Sequence, residues 1–332
     1  CVIDANQPGD ANWNPAPQMQ QSTSVLDPPN AVDDSDTATG NVQISVAANG
    51  VLGNDSGTSI SVTAFDAAST NGGTVVVNGD GSYSYDPPAN FTGSDTFTYT
   101  IDNALNQPSI GTVTVTVKDR VIVVASGGTG NCKPATPCAM STADGLAAPT
   151  GKDLVFVQSG NYTAPNSSIS LNNGQTLAGN FVSLTQAISD AGITLAPDSV
   201  APTINASTTP ALTNAGNVIT LAGGNVVEYF SITNTSGSAM LGNAAGSGTS
   251  TIHDIAVSNT SGNGVNLTAN LGTVNFSNLT IATSSGNAFA ATGGGTINAT
   301  QDNVSTINTL TSTTGVALNV SNTTIGASGM TF

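Results

Sequence analysis

The feature that most restricts the fold is a segment that recurs through the last hundred residues. Four stretches, ITNTSGSAML, VSNTSGNGVNL, IATSSGNAFAA and LTSTTGVALNV, align on glycines that lie 25, 24 and 29 residues apart. A repeat of this length, with two or three short apolar segments per period, is typical of a solenoid whose coils stack over a common core. Leucine-rich repeats have a similar period, but their fixed leucine positions are missing here. The aligned glycines are Gly237, Gly262, Gly286 and Gly315.

Residues 31–119 have a different pattern, in which apolar and polar side chains alternate along short segments. Phe97, Tyr99 and Ile101, for example, alternate with threonines, and Asn-Gly and Gly-Asp turn signals separate such segments. Six or seven of them indicate an antiparallel β-sandwich. Helix is expected to be rare because the charged residues that favour it are scarce. The chain has one Glu, three Lys and one Arg, whereas it has nineteen Asp, which favours helix poorly.

The net charge of −16 excludes several partners. Residues 1–120 carry −11, with thirteen Asp against Lys118 and Arg120, and residues 121–332 carry −5. Binding to nucleic acid or to an anionic lipid surface needs a basic surface, which this chain lacks. No stretch approaches the roughly 18 apolar residues of a membrane span. A divalent cation is the partner that Asp-rich segments favour.

Two resemblances follow from longer motifs. AVDD, VLGND, GDGSYSYDP and FTGSDTFTYTI make residues 31–118 similar to the cadherin-like, Ig-like modules that occur in tandem in very large bacterial surface proteins. The next region, VIVVASGGTGNCKPATPCAM and GKDLVFVQSGNYT, resembles the opening of bacterial right-handed parallel β-helix proteins, with a cap at 139–146. The resemblance implies an all-β chain. Its parts are an extended N-terminal arm or linker at 1–30, an antiparallel Ig-like β-sandwich at 31–119 and a right-handed parallel β-helix, a solenoid, at 120–332.

A run of aspartates forms the candidate metal site. Asp33, Asp34 and Asp36 lie within DDSD, and Asp102 follows FTYTI. Carboxylates at this spacing suit Ca²⁺, which takes oxygen ligands, and related modules bind Ca²⁺ at domain junctions, so the resemblance implies the same. Neither an EF-hand loop nor a glycine-rich calcium repeat is present, and a solvated acidic turn is the alternative. No other cofactor is expected.

Two of the three cysteines are candidates for a disulfide. Cys132 and Cys138 lie in NCKPATPC, within a Gly- and Pro-rich loop, and a bond between them fits an oxidising compartment. A two-cysteine metal site is the alternative, although no His or further Cys lies nearby to complete a tetrahedral set. Cys1 is either the lipid-bearing first residue of a bacterial lipoprotein or only the point where the numbering begins.

Catalytic residues are scarce in residues 121–332. Glycoside hydrolysis needs two facing carboxylates, and Asp254 and Asp302 are the only pair that the repeat would bring to one face. No Arg follows residue 120, so the base of many β-helix lyases is missing. His253 next to Asp254 suggests a held tautomer for base catalysis, but no nucleophile accompanies it, and a solvated turn pair is the favoured interpretation. We therefore expect no enzymatic activity.

The sequence favours an extracellular structural or adhesive protein of the bacterial surface, such as a fibre, sheath, surface layer or adhesin stalk. A carbohydrate-binding module is the main alternative, and a polysaccharide lyase or hydrolase is a lesser one. Sugar binding would be signalled by a regular aromatic ladder, and the aromatics of residues 121–332 have no regular spacing. Expected partners are surface glycans, further domains of the same polypeptide or other copies of the chain.

The last residues, NTTIGASGMTF, align with the middle of earlier repeats. A coil without a cap leaves unpaired strand edges that invite edge-to-edge pairing. We expect either that the polypeptide continues beyond Phe332 or that another copy covers this coil. In the second case Val2, Ile3 and Trp13 of the N-terminal arm are the candidate contacts.

Overall fold

The computed structural model describes residues 2–5, 9, 11, 19–22 and 26–332. Strands dominate these residues, and two short helices and one 3₁₀ turn account for the helix among them, as the shortage of helix-favouring side chains predicts. Near the N-terminus, β1 (Val2–Ala5) pairs antiparallel with β2 (Met19–Ser22). The sequence indicated an extended arm or linker here and did not indicate this strand pairing. Trp13 and the side chains of Val2 and Ile3 lie outside the described part, so the assembly contact stays a prediction.

Seven strands form a two-sheet sandwich over residues 34–124. They are β3 (Asp34–Gly40), β4 (Ile44–Val46), β5 (Ser61–Phe65), β6 (Thr74–Val77), β7 (Tyr83–Asp86), β8 (Gly93–Asp102) and β9 (Ser109–Val124), with a 3₁₀ turn at Gly50–Leu52. One sheet has the order β3-β9-β8-β5 and the other the order β4-β7-β6. All pairings are antiparallel except that of β3 with β9, which is parallel and departs from the expected all-antiparallel sandwich.

The alternation in the sequence places one face of each strand in the core of the sandwich. In β8, Phe97, Tyr99 and Ile101 are buried, and the threonines between them are partly or fully exposed. Burial of each such side chain contributes about 1.5–3 kcal/mol, and a slip of one residue would expose the whole set, so the alternation fixes the register. The sequence did not indicate β3, because its aspartates were interpreted as a calcium site or a solvated turn. Pairing of β3 with β9 stabilises the extended conformation of this segment despite the low strand propensity of Asp.

After β9 the strands form parallel ladders. A longer ladder begins with β9, a shorter one begins at Ile169, and their strands alternate along the chain from Val226 to Thr300. Every pairing among these strands is parallel. The longer ladder is β9, β10 (Asp153–Val157), β13 (Thr176–Gly179), β16 (Val226–Thr233), β18 (Thr249–Thr260), β20 (Thr273–Thr283), β22 (Thr296–Thr300) and β25 (Thr324–Met330). The shorter ladder is β12 (Ile169–Ser170), β15 (Ile219–Thr220), β17 (Met240–Gly242), β19 (Val265–Leu267), β21 (Phe289–Ala291) and β24 (Leu318–Val320). Three further strands pair beside the longer ladder: β11 (Asn161–Thr163), β14 (Ala211–Thr213) and β23 (Thr309–Ser312).

One apolar core joins side chains from both ladders. Val227 and Phe276 of the longer ladder pack in the same cluster as Met240 and Phe289 of the shorter one. Phe276 and Phe289 meet edge to face with their ring centroids 5.1 Å apart. Helix α1 (Met140–Asp144), in the segment expected to form a cap, adds the buried Met140 to this cluster. Side chains from both ladders and from α1 are therefore buried in one common core.

The aligned glycines lie where the backbones of successive repeats approach closely. A Cβ atom at Gly262 would overlap the carbonyl oxygen of Gly237, one at Gly286 would overlap that of Gly262, and one at Gly315 would overlap that of Gly286. Because any side chain would collide with backbone here, only glycine fits the column. The 25, 24 and 29 residue spacing thus records a packing requirement between neighbouring repeats.

Strand β9 belongs to both the sandwich and the longer ladder. Its first part pairs with β3 and β8, and from Arg120 to Val124 it pairs in parallel with β10. Asp119, at a left-handed φ of 54°, marks the change of partner. The boundary expected at residues 119 and 120 therefore falls inside a strand, and the two parts share that strand instead of being joined by a linker.

The first strands of the longer ladder are buried on both faces. Ile122 and Val124 contribute to the core between the ladders, whereas Val121 and Val123 pack on the opposite face. Helix α2 (Leu184–Asp190) covers that opposite face, and Ser183 caps it by accepting a hydrogen bond from the backbone of Gln186 at 3.2 Å. The continuous apolar runs VIVV and LVFV follow from this double burial.

Candidate functional site

Arg120 and Asp153 form a buried ion pair where the sandwich meets the ladders. Their side chains are 3% and 4% exposed. Arg120 donates from Nε and Nη2 to the two carboxylate oxygens of Asp153 at 3.0 and 2.8 Å, and to the carbonyl oxygens of Asn90 and Ala147 at 3.2 and 2.9 Å. Gln175 donates a further hydrogen bond to Asp153 at 2.7 Å. Both buried charges are therefore well satisfied, and the pair links three separate segments.

Asn41 and Asn90 carry a second set of bonds across the same junction. Asn41 lies at a φ of 66°, a conformation that Asn tolerates better than most residues. It donates to the carbonyl oxygen of Val121 at 3.0 Å and accepts from the backbone N–H of Asn90 at 2.7 Å. Asn90 in turn donates to the carbonyl oxygen of Asn131 at 3.2 Å. These bonds fix the end of β3 and the loop before β8 onto the first strand of the ladder.

The loop between Cys132 and Cys138 also contacts the sandwich. Their sulfur atoms are joined in a disulfide with an S–S distance of 2.10 Å and a Cα–Cα distance of 4.4 Å, and both residues are fully buried. From the same loop, Lys133 forms an ion pair with Asp86 of β7 at 2.7 Å. The closed loop thus lies against the sandwich and adds a third connection at the junction.

A segment that follows α2 completes the junction. Val200 donates its backbone N–H to the carbonyl oxygen of Gln43 at 2.8 Å, and Ser45 donates to that of Asp198 at 2.8 Å. These bonds lie at the edge of β4, where Ile44 forms a bridge with Ser199, so a part of the chain 155 residues later in sequence pairs with the second sheet of the sandwich. Covering an exposed strand edge in this way prevents pairing with other chains.

The structure places the four predicted calcium ligands on or beside strands instead of in one loop. Asp34 and Asp36 lie on β3, Asp33 precedes β3, and Asp102 ends β8. Asp36 accepts a hydrogen bond from the hydroxyl of Tyr83 at 2.5 Å. In the part of the chain that the structure describes, no three His, Cys, Asp or Glu side chains are grouped to hold a metal ion. The four aspartates do not form a common site there, and calcium binding stays a prediction.

Asp34 differs from the other aspartates of this run. It is half-buried, and its Oδ2 atom has no hydrogen-bond partner among the described residues. Burial is the main reason that its pKa is raised to about 6, and the negative charges of Asp55 and Asp33 add to the effect while the hydroxyl of Tyr99 opposes it. Ionisation of this carboxyl therefore costs the folded state free energy.

The second group of charged side chains surrounds His253 on the longer ladder. Its Nε2 atom lies 3.1 Å from Glu228 and its Nδ1 atom 2.6 Å from Asp254. The hydrogen bond with Glu228, supported by Asp254, raises the pKa of His253 to about 9 although burial opposes it. At neutral pH the ring is therefore an imidazolium that donates from both nitrogens, and neither nitrogen is free to act as a general base. His253 lies within β18, so the solvated turn expected from the sequence is wrong, because pairing with β16 and β20 holds this segment in the ladder.

Asp302, the other half of the carboxylate pair suggested by the sequence, is engaged in its own turn. It accepts hydrogen bonds from the backbone N–H groups of Val304, Ser305 and Thr306 at 2.9, 2.8 and 2.7 Å. These bonds, with that from the hydroxyl of Ser305, hold the pKa of Asp302 well below its usual range. Asp254 is bonded to His253 instead, so each carboxylate has a local partner that the sequence did not reveal.

Three successive strands of the ladder pass through a left-handed residue at the same position. The φ angles are 63° at Tyr229, 57° at Asp254 and 50° at Asn278, and the residues before them are paired in register. Asp and Asn tolerate this conformation, whereas a bulky tyrosine in it is an outlier. Holding Tyr229 there costs about 1–2 kcal/mol. At this position of the ladder, Tyr229 is therefore a strained aromatic residue, whereas an Asn would adopt the same conformation with little strain.

The ring of Tyr229 packs beside a solvent-exposed aromatic. Its centroid lies 5.3 Å from that of Phe181 at an interplanar angle of 30°, and His253 meets Tyr229 edge-on at 5.5 Å. Phe181, just after β13, is 55% exposed. Two depressions of about 250 and 520 Å³ adjoin these rings, and Tyr229 lines both. Phe181 and Tyr229 are not regularly spaced in the sequence because the excursion that contains α2 separates β13 from its ladder neighbour β16.

Comparison with known proteins identifies one part of the chain. Residues 26–116 match a family model described as a bacterial Ig domain, which covers β3 to β8 and the first half of β9. No curated protein and no solved structure matches the chain. Among the described residues, no helix has the length and apolar character needed to cross a membrane. The Ig-like module expected at residues 31–118 is confirmed: this all-β chain contains a bacterial Ig-like domain.

Proposed function

We propose that the chain is a rigid stalk segment of an extracellular structural or adhesive protein of the bacterial surface. In this proposal the Ig-like domain leads directly into a right-handed parallel β-helix. The parallel ladders that alternate along the chain, and the glycine column at which neighbouring repeats touch, support the β-helix interpretation. A bacterial Ig domain is typical of surface-associated proteins, which supports the location.

The observation that carries the proposal is the strand β9, which is shared by the two parts. Domains in one chain usually move relative to each other, because exposed linkers join them and few contacts cross between them. Here no linker exists, since β9 passes from one sheet partner to the next at Asp119 and Arg120. A hinge at this point would have to break strand pairing on both sides. The shared strand therefore suits a protein that holds its ends at a fixed distance and orientation.

The buried junction strengthens the same argument. Bending between the two parts would separate the Arg120 guanidinium from the carbonyl oxygen of Asn90, and the side chain of Asn41 from the carbonyl oxygen of Val121. Each buried polar group left without its partner costs about 1–3 kcal/mol. The disulfide loop and its Lys133–Asp86 ion pair add a further contact, and a disulfide suits an extracellular compartment.

A non-catalytic role agrees with the chemistry of the charged cluster on the ladder. His253 is paired on both nitrogens, and Asp302 is held within its own turn. Neither arrangement offers the free base or the facing carboxylates that polysaccharide cleavage needs. We therefore propose that the chain has no enzymatic activity.

The location is tested by antibody labelling of intact cells. Antibodies raised against residues 1–332 are expected to label whole cells of the source bacterium, and a protease added outside the cells is expected to remove that label. A cytoplasmic protein followed in the same cells is the control for lysis. Labelling that occurs only after the cells are broken would contradict the proposal.

A further inference from the structure

The strained tyrosine and the exposed phenylalanine form a surface that the fold does not require. The other large aromatic side chains of the ladders, such as Phe230, Phe276 and Phe289, are fully buried in the core. Tyr229 instead lies partly exposed, in a left-handed backbone conformation. Asp254 and Asn278, at the same position on the next two strands of the ladder, adopt this conformation with little strain. Strained positions of this kind are retained where the side chain has a function.

Small side chains make a flat floor beside the two rings. Ser231, Ala256 and Thr280 are register partners on three successive strands, and each is partly or fully exposed. They line the depression of about 250 Å³ together with Phe181 and Tyr229. A flat floor bounded by aromatic rings accommodates a ring-shaped ligand lying against the ladder.

Polar groups line the same depression. Asn278 donates a hydrogen bond to Asp254, and both side chains remain partly exposed beside Tyr229. A pyranose sugar has an apolar face of C–H groups, which packs on aromatic rings, and hydroxyl groups at its edge, which bond to carboxylates and amides. The combination of an aromatic surface with a few fixed polar groups therefore matches a sugar better than a purely apolar ligand.

The charges around the rings restrict which sugars fit. Asp254 lines the first depression, and Glu228 and Asp190 line the adjoining one. Among the residues that the structure describes, His253 is the single cation that lines either depression, it already pairs with two carboxylates, and no Lys or Arg lines them. A uronic acid or a sulfated sugar would be repelled here.

We propose that Phe181, Tyr229, Asp254 and Asn278, with the floor of Ser231, Ala256 and Thr280, form a binding site for a neutral polysaccharide. We call this surface the aromatic site. The inference goes beyond the stalk role, because a rigid stalk needs no such site. Failure of sugar binding would therefore leave the stalk proposal intact, and failure of surface labelling would leave the aromatic site to be judged by binding alone.

The test is affinity electrophoresis of the whole chain in native gels that contain dextran, mannan, xyloglucan or hydroxyethylcellulose. Polygalacturonate and chitosan serve as the anionic and cationic polymers. We expect retardation by at least one neutral polymer and none by polygalacturonate. Titration calorimetry with oligosaccharides of the retarding polymer then gives the affinity.

Two ring variants and one control decide whether the aromatic site is responsible. Tyr229→Asn removes the ring and places in the left-handed position a residue that favours it, so the fold is kept. Phe181→Ala removes the exposed ring, and Phe65→Ala, in the sandwich and 38% exposed, is the matched control. We expect each ring variant to weaken binding at least tenfold and the control to bind as the parent does. Phe181→Trp is expected to keep binding.

Three outcomes would overturn the inference. They are the absence of binding to all four neutral polymers, unchanged binding in both ring variants, and stronger binding to polygalacturonate or chitosan than to any neutral polymer. Thermal melts by circular dichroism check that the variants fold. Should Phe181→Ala unfold, Tyr229→Asn decides alone, because its substituted residue suits the backbone at that position.

Discussion

Replacing Arg120 by Met tests whether the junction between the sandwich and the ladders is as tightly built as its bonds indicate. The substitution removes the two hydrogen bonds to Asp153 and leaves that carboxylate, 4% exposed, with the donor of Gln175 as its remaining side-chain partner. It also removes the donors to the carbonyl oxygens of Asn90 and Ala147. An unpaired buried charge dominates the cost, so we expect the free energy of unfolding to fall by about 3–5 kcal/mol.

The double variant Arg120→Met with Asp153→Leu separates this cost from simple loss of contacts. With both charges gone, no buried ion is left unpaired, and apolar replacement of a buried pair is often close to neutral. We expect the double variant to regain most of the lost stability. The matched control is Lys133→Met, which breaks the partly exposed Lys133–Asp86 pair and is expected to cost about 0–1 kcal/mol.

Urea unfolding followed by far-UV circular dichroism is measured on the parent, on the single variants Arg120→Met and Asp153→Leu, on the double variant and on the Lys133→Met control. The reasoning predicts a strongly non-additive cycle, since the two residues are in direct contact. A loss below about 1 kcal/mol in Arg120→Met, similar to that of the surface control, would refute it. A double variant as unstable as the sum of both single variants would refute it as well.

Three further predictions concern the disulfide, calcium and pH. Mass spectrometry after alkylation without reductant is expected to find Cys132 and Cys138 unmodified and joined, and two alkylated thiols in freshly secreted protein would contradict this. Calcium is predicted to raise the melting temperature of the region up to residue 119 more than that of the ladders. The negative charge is concentrated in that region, and a cation bound only by the folded form adds stability. Equal melting temperatures with and without a chelator would exclude this calcium effect. Because the pKa of Asp34 rises from 3.8 to about 6 on folding, the folded state binds the proton more tightly, and the contribution of this group to stability falls as pH rises through that window. Asp34→Asn should therefore stabilise the protein by about 1 kcal/mol at pH 7 and hardly at all at pH 4, in urea unfolding at both pH values, and an equal effect at both would contradict the assignment.

The sequence was most informative where the same packing constraint recurs at regular positions along the chain. The glycines at 237, 262, 286 and 315 and the alternation of Phe97, Tyr99 and Ile101 each record a packing constraint that neighbouring repeats or strands impose, so their spacing carries structural information. The strand β3 escaped detection because aspartates favour turns in isolation, and only its pairing with β9 makes the segment extended.

The candidate sites were harder to predict, because long-range pairing creates them. Arg120 and Asp153 are 33 residues apart, and Phe181 and Tyr229 meet only because β13 and β16 are ladder neighbours across the excursion that contains α2. The acidic run suggested a shared cation site, yet strand geometry directs Asp34 and Asp36 to different partners from Asp102. A left-handed tyrosine leaves no signal in sequence, since its conformation shows only once the ladder register is known.

The central claim, that the Ig-like domain and the ladders form one rigid unit through β9, is tested most directly by a distance distribution between them. Spin labels are attached through Thr63→Cys on β5 and Thr309→Cys on β23, both exposed, with Cys1→Ser to remove a competing thiol. Double electron–electron resonance is then measured on this protein and on one with Gly-Ser-Gly-Ser inserted between Asp119 and Arg120. We expect a single narrow distance distribution for the uninterrupted chain and a broad one after insertion. A distribution in the uninterrupted chain as broad as that of the insertion variant would contradict it.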